Sequence, residues 1–333
     1  MNESVQIRRL MNGYQVSQAI HVAVVLGLPE LLADGPKAVA DLAERAGCQA
    51  RPLYRLLRAL SSVGVYRELP DRRFETTSLG DTLRADAPRS IAGWALFVGT
   101  QTHWQSWAGL LHSVRTGESA FEAVHGQDVW AYRASHPGEG KVFDFAMSSL
   151  SSLLAESVLD AFDFGRFTTV VDVGGGRGSF LAAVLGRHPA LRGVVFDQPH
   201  VVASAPATLA GAGVEERCEV VSGDFFASVP GGGDAYVLKA VVHDWDDERA
   251  TAILRTCRRD MPDTATLLIV ERVLGGPNEG PDAAFTDLNM LVGPGGEERT
   301  EEEYAALLHG AGFTMTRTVR TDIEVAVIEA RPH

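Results

Sequence analysis

From about residue 10 to residue 160 the apolar positions recur with helical spacing, and strand-like runs are few and short. This half reads as mostly α. Segment 13–26 is apolar around most of its circumference, through Val16, Ala19, Ile20, Ala23, Val24 and Leu26. A helix without a polar face has to be buried on several sides, one of which a partner subunit can supply. Residues 38–77 predict a helix over 38–46, a turn at Gly47 and a second helix opened by Pro52 with Leu53, Leu56, Leu57, Leu60 and Val63. Two short extended runs follow, 65–69 and 73–76, joined by a Pro70-Asp71 turn; helix, turn, helix and hairpin make a winged-helix unit. Residues 91–160 are helical and rich in aromatics, among them Trp94, Phe97, Trp107, Trp130 and Phe143. Such a stripe is more often core, and it is also a candidate wall for an apolar ligand.

From Thr168 the texture changes to alternating strands and helices: strands over 169–173, 193–196, 218–221, 235–238 and 266–270, with helices after Gly178 and over 249–260. That order predicts a parallel α/β sheet with helices on both faces. Thr300-x-x-Glu303 is a capping box opening a helix that ends at 310–312, and the runs 314–318 and 323–329 close the sheet with an antiparallel hairpin. The expected domains are therefore 1–160 and 161–333.

Composition narrows the function classes. The chain has 333 residues, 45% of them hydrophobic and 22% charged, which is the make-up of a globular protein. Acidic residues outnumber basic ones 43 to 30, a net charge of −13 that repels phosphate backbones and anionic lipid. Arg51, Arg55, Arg58, Arg72 and Arg73 would suit a winged helix on DNA, but on so acidic a chain a packing or dimerisation module with solvated arginines is the better reading. Nucleic acid and membrane are not expected partners. Cys48, Cys218 and Cys257 are odd in number and far apart, which signals neither a disulfide framework nor a thiolate metal site, and a reduced, cytoplasmic setting is expected. The apolar stretch 20–32 is broken by Pro29 and Glu30 and falls short of the roughly 20 residues of a membrane span. The first residues, with Glu3 and no apolar core, do not read as a secretory leader.

Two motifs carry chemistry. In Val170-Val171-Asp172-Val173-Gly174-Gly175-Gly176-Arg177-Gly178-Ser179 a strand runs through glycines into a helix, and glycines let backbone approach a ligand with no Cβ in the way. A dinucleotide fingerprint wants Gly or Ala where Ser179 stands. Asp197 ends the next strand about 20 residues on, a spacing that suits the two hydroxyls of a ribose. Gly223-Asp224-Phe225-Phe226 follows the third strand, where an Asp can accept from an adenine amine and a Phe can cover the ring. The second motif, Lys239-Ala240-Val241-Val242-His243-Asp244-Trp245-Asp246-Asp247, follows the fourth strand. Asp246 and Asp247 open a helix, whereas His243 lies beyond the strand's end, where an imidazole is suited to taking a proton. A metal cluster of His243 with Asp244, Asp246 and Asp247 would lack a second His. Two carboxylates are placed to orient the imidazole: Glu271, ending the fifth strand, and Glu298 in the loop 293–300.

Together these blocks resemble the S-adenosylmethionine-dependent small-molecule O-methyltransferases of the plant caffeate type and their bacterial natural-product relatives, over nearly the whole chain. The resemblance implies a Rossmann-like class I methyltransferase domain with a mostly parallel sheet and a C-terminal antiparallel hairpin. It also implies a mainly α, winged-helix dimerisation domain that lends residues to its partner's pocket, hence a homodimer. S-adenosylmethionine is the implied cofactor, with no metal, and a hydroxyl of an aromatic small molecule the implied acceptor. Asp172, Gly174, Gly176, Asp197, Gly223, Asp224, Phe225 and Lys239 match the cofactor's surroundings, and Ser151 matches a hydroxyl offered to it. His243 matches the general base and Glu271 and Glu298 the acids beside it, while Met147, Asp244, Asn289 and Met290 match the acceptor's surroundings. Arg177 replaces a Thr common in plant members, and the helix around Met147 lacks the His and Asp often found there. Both departures concern the acceptor. A same-fold protein that binds the cofactor and hydroxylates, or a DNA-binding regulator that senses it, are the alternatives, and His243 with both acids favours methyl transfer.

Overall fold

The parallel strands of the second half stand where the apolar runs predict them, and their carboxyl ends carry the candidate site. The computed structural model describes residues 2–87, 89–323 and 325–333. Contacts divide the chain into two units, residues 2–104 with 137–153, and residues 105–136 with 154–333.

In the first unit the helix Gly13–Val25 packs on the helices Ala50–Ser62 and Ala92–Val98. Leu53, Leu57 and Leu60 are the buried side of Ala50–Ser62, and Arg51, Arg55 and Arg58 are exposed. Three antiparallel strands, β1 (Lys37–Ala38), β2 (Tyr66–Leu69) and β3 (Arg73–Thr76), pair in the order β1-β3-β2. The helix–turn–helix–hairpin order is thus present, with a short extra strand. Ala23, Leu28, Leu42, Leu57 and Phe74 are fully buried. Leu10 and Met11 nevertheless stay 71% and 70% exposed, and Tyr14 and Val25 are exposed as well. One chain alone does not cover the apolar circumference of its N-terminal helices.

The second unit holds a seven-stranded sheet in the order β6-β5-β4-β7-β8-β10-β9. Its strands are β4 (Thr169–Val173), β5 (Arg192–Asp197), β6 (Cys218–Ser222), β7 (Ala235–Lys239), β8 (Thr266–Arg272), β9 (Phe313–Arg320) and β10 (Val325–Pro332). The first five are parallel, and β10 runs antiparallel to β8 and β9. Both faces are buried, so alternate residues of one strand enter different cores. Leu267 and Ile269 of β8 join Ile253, Leu254 and Leu308, while Leu268 and Val270 join Phe180, Leu181 and Leu209. The capping box at Thr300 and Glu303 forms in full.

The helix Pro137–Ala161 has the length and apolar composition of a membrane span, a test that core helices of soluble proteins also pass. Serines interrupt its hydropathy, so in the sequence it stands out less than the stretch 20–32. Ala146, Ala155 and Val158 on this helix are buried.

Ile269→Ala removes a fully buried side chain from the central strand β8 and is expected to cost about 2–5 kcal/mol of unfolding free energy. Urea denaturation reads the difference; a cost below about 1 kcal/mol is incompatible with this strand's place in the core.

Candidate active site

Three glycines between β4 and the helix Ser179–Arg187 adopt left-handed backbone, Gly174 at φ 72°, Gly176 at φ 60° and Gly178 at φ 79°. A side chain at any of them would be strained. At Gly174 a Cβ would also lie 2.7 Å from Val241 Cγ2, whereas at Gly176 it would stand in open space beside the loop. The N–H groups of Gly174 and Gly175 donate to the Phe196 carbonyl at 2.8 and 3.1 Å, which fastens the loop to the end of β5. Asp197, the last residue of that strand, accepts from the Gly176 N–H at 2.9 Å and from the Gln198 N–H at 2.7 Å. The loop and Asp197 are one hydrogen-bonded unit. Gly223 donates its N–H to the Asp197 carbonyl at 3.0 Å. Asp224 caps its own turn through the Phe226 N–H at 2.9 Å, and Phe225 reaches back to Gly174, its ring 3.7 Å from where a Cβ would stand.

Asp172, in β4 two residues before Gly174, is 1% exposed, and neither carboxylate oxygen accepts a hydrogen bond. Burial pushes its pKa up to about 7, with Lys239 drawing it down and Asp197 raising it further. Lys239, at the end of β7, is itself pushed down by burial while Asp172, Glu271 and Asp244 hold it up. A buried carboxylate without a hydrogen-bond partner is complementary to a cationic ligand group.

After β7 the chain turns sharply through Ala240, a non-glycine residue at φ 53°, into a short helical turn, Val242–Asp244. Glu271, in β8, holds that turn. Its Oε1 accepts the N–H groups of Val241 at 2.9 Å and Val242 at 2.6 Å, and its Oε2 accepts the His243 N–H at 3.1 Å and the Tyr304 hydroxyl at 2.8 Å. Glu271 therefore serves the backbone more than the imidazole, whose Nδ1 is 3.9 Å away. Glu298 takes the imidazole itself: Nδ1–H donates to Oε1 at 2.8 Å, and the Glu298 N–H is anchored on Asp287 at 3.0 Å. With Nδ1 so occupied, Nε2 is the ring position that gains or loses the titrating proton, and Asp244 Oδ1 stands 3.8 Å from it.

Burial alone would lower the pKa of His243, but Glu298, Glu271 and Asp244 outweigh it and push the value up to about 10. Because the folded value is raised, the paired imidazolium stabilises the fold below the ordinary value of 6.5, and that contribution is lost as the pH rises through about 10. Asp244 is also pushed up from its usual range, to about 6, by burial first, with His243 and Arg133 pulling it down.

Several groups that the spacing of motifs did not single out complete the turn. Arg299, fully buried, donates to the Trp245 carbonyl at 3.0 Å and to Asp247 at 3.0 Å, and Glu297 donates its N–H to the His243 carbonyl at 2.9 Å. A Cβ at Gly296 would overlap that same carbonyl. Trp245 stacks on Trp130 with centroids 6.0 Å apart and meets Phe226 edge-on at 4.9 Å. The glycine-rich run 293–296 was the one visible signal for this clamp. Asp246 caps the following helix through the Arg249 N–H at 2.8 Å, as its position suggests, and Asp247 pairs with Arg299, so neither joins a metal cluster with His243. The donor atoms of His243, Glu271 and Glu298 do lie within 4.8 Å of one another, but Glu271 is already committed to backbone N–H groups and a hydroxyl.

Of the acceptor candidates, Asn289 accepts the Trp107 indole N–H at 3.1 Å, and Met290 is buried with its carbonyl accepting the Gly295 N–H at 2.8 Å. Met147 and the buried Ser151 lie in the part of the helix Pro137–Ala161 that belongs to the first unit.

A glycine loop locked to a strand-end acid, beside a buried imidazole oriented by a carboxylate, is the arrangement of a Rossmann-like group-transfer enzyme. The O-methyltransferase domain family matches residues 107–314, and the O-methyltransferase dimerisation domain family matches residues 8–86, which include the helix–turn–helix–hairpin unit. The chain is 43% identical to the phenazine O-methyltransferase PhzM of Lysobacter antibioticus, over 97% of this chain and 95% of that one. It is 41% identical to the 8-amino-8-demethylriboflavin N,N-dimethyltransferase of Streptomyces davaonensis, over 95% and 92%. Among solved structures, NcsB1 of neocarzinostatin biosynthesis, in complex with S-adenosylmethionine and 2-hydroxy-5-methyl naphthoic acid, is 32% identical with a TM-score of 0.78, covering 95% of this chain and 96% of that one. The chain belongs to the O-methyltransferase family. Enzymes of this family take the methyl group from S-adenosylmethionine and need no metal. The residues present fit that cofactor: Gly176 presents backbone with nothing within 4 Å of where a Cβ would stand, and the Asp172 carboxylate, without a hydrogen-bond partner, suits its ammonium group.

Gly296→Ala is expected to displace the His243 turn and to lower methyl-transfer turnover by at least about 100-fold, the scale of lost general-base catalysis. Gly310→Ala, where a Cβ meets nothing within 4 Å, serves as the control. Equal turnover of the two variants would show that the loop 293–296 does not govern the His243 turn.

Proposed function

We propose that this enzyme transfers the methyl group of S-adenosylmethionine to a hydroxyl, most simply phenolic, of an aromatic small molecule in natural-product biosynthesis, with His243 as general base. The observation that carries the reading is the hydrogen bond between His243 Nδ1 and Glu298, which makes Nε2 the acceptor of the neutral ring. The cofactor supplies an electrophilic methyl group on a sulfonium. Asp197, already fixed by the Gly176 N–H, is placed to hold the ribose, Asp224 and Phe225 to hold adenine, and Asp172 and Lys239 to border the methionyl end. Ser151, Met147, Asn289 and Met290 are assigned to ligand contacts by resemblance to the family. The exposed apolar side chains of the N-terminal helices, within the span matched by the dimerisation domain, support a homodimer. The division 1–160 and 161–333 stands as the proposed functional split, dimerisation and acceptor pocket in the first and cofactor binding in the second.

His243 removes the acceptor's proton. A phenol with pKa near 10 is about one part in a thousand ionised at pH 7, a deficit of roughly 4 kcal/mol, and general-base catalysis contributes about 10²–10⁴-fold. Positioning of the two reactants contributes more, roughly 7–11 kcal/mol in well-oriented cases. An amine acceptor is the variant that the riboflavin relative's N,N-dimethyltransferase activity brings forward, and the acceptor screen separates the two by the atom that carries the new methyl.

His243→Ala is expected to lower turnover by at least about 100-fold with both substrates saturating. A loss under about 5-fold assigns the rate to positioning and removes the base role. In calorimetric titration the protein is expected to bind S-adenosylmethionine at micromolar concentration and NAD not at all, and Asp197→Ala to weaken the former by about tenfold or more, the scale of a lost charged hydrogen bond. A preference for NAD would overturn the cofactor assignment.

A further inference from the structure

Three buried or nearly buried carboxylates converge on one imidazole. Glu298 is 2.8 Å from Nδ1, Glu271 3.9 Å from Nδ1 and Asp244 3.8 Å from Nε2. The second oxygen of Glu298 is buried without a hydrogen-bond partner. The titratable groups facing this cluster come from the elements around it, including Asp287 of the helix Pro281–Val292, which accepts the Glu298 N–H at 3.0 Å. Lys239 ends β7, and Arg133 of the helix Val129–Ser135 acts on Asp244. Arg299 is committed to Asp247 and Glu297, and Tyr304 donates its hydroxyl to Glu271. The cluster thus favours a cation at its centre, and in the protein alone that cation is the imidazolium, consistent with a proton held until about pH 10. A general base, however, has to meet its substrate without that proton.

We propose that the carboxylate cage around His243 is shared between the imidazole's proton and a sulfonium entering beside it, so that binding the methyl donor weakens the imidazole's hold on its proton and releases it to solvent at a lower pH. The inference rests on the methyl-donor reading above. Two like charges about 6 Å apart at an effective dielectric near 20 disfavour each other by about 100-fold in affinity. During transfer Nε2 takes the hydroxyl proton of the acceptor as its oxygen bonds the methyl carbon, and the carbon–sulfur bond breaks with its electron pair left on sulfur. The positive charge that sat on sulfur then sits on the imidazolium. The site carries one cation before and one after, so the field of Glu298, Glu271 and Asp244 is used in both states.

The test compares S-adenosylmethionine with S-adenosylhomocysteine, which differ in the sulfur's charge while sharing the adenosine, ammonium and carboxylate groups that Asp172 and its neighbours see. Titration calorimetry of the full chain at pH 9, in two buffers of different ionisation enthalpy, counts the protons released. The sulfonium ligand is expected to release most of one proton more than the thioether, and its affinity relative to the thioether to fall by about tenfold between pH 9 and pH 7. In His243→Gln the pH dependence is expected to flatten and the excess to shrink by most of one proton, to whatever the two ligands' own ammonium groups release. An excess in the unaltered protein no larger than that in His243→Gln overturns the proposal. Failure of S-adenosylmethionine to bind the unaltered protein overturns the methyl-donor reading instead.

Discussion

The carboxylate of Glu271 is the constraint on which the rest of the site depends. It stands in β8, paired with β7 on one side and β10 on the other, so its position is set by the sheet and not by a loop. From there it accepts the N–H groups of Val241, Val242 and His243, three donors that the sharp turn after β7 leaves without backbone partners. Removing it would strand those donors in a dry site, each at a cost of about 1–3 kcal/mol. The imidazole is consequently placed twice, once through its backbone by Glu271 and once through its ring by Glu298, and the second acid is anchored in turn on Asp287. Strand geometry is passed to a reacting atom through two carboxylates.

Local chemistry made much of this legible from the residues alone. The strands β4, β5, β7 and β8 are buried on both faces, so they read as near-continuous apolar runs bounded by turn residues, and their order alone implies the parallel sheet. Gly174, Gly176 and Gly178 are visible because no other residue adopts their backbone cheaply, and Thr300 with Glu303 because a capping box has a fixed spacing. What spacing does not reveal is which distant groups meet. Trp107 bonds Asn289 across 182 positions, and the segment 105–136 consequently packs with the second unit although its helical, aromatic texture is that of the first half. The division of labour between the two acids is hidden for the same reason. Either carboxylate was free to reach the ring, and only the register of β8 against the turn after β7 directs Glu271 to the backbone. Arg299 is in the same position: within Glu298-Arg299-Thr300 it looks like a solvated charge, and burial against the Trp245 carbonyl and Asp247 follows from tertiary structure.

The carboxyl ends of β4, β7 and β8 gather Asp172, Lys239, His243, Asp244, Glu271, Glu298 and Arg299 in or near the protein interior. Buried ion pairs of this kind are poor sources of stability, since desolvation consumes much of the attraction. Ala240 adds backbone strain of about 1–3 kcal/mol at the entrance to the His243 turn. Stability therefore has to come from elsewhere, and the two apolar cores on either face of the sheet supply it. What the charges provide is a field fixed before any ligand arrives, which costs no reorganisation at the moment of reaction. Such a field can favour proton removal only if the proton it attracts can be expelled, so a cluster this acidic is matched to a reaction that brings its own positive charge into the site and leaves the site without it on sulfur.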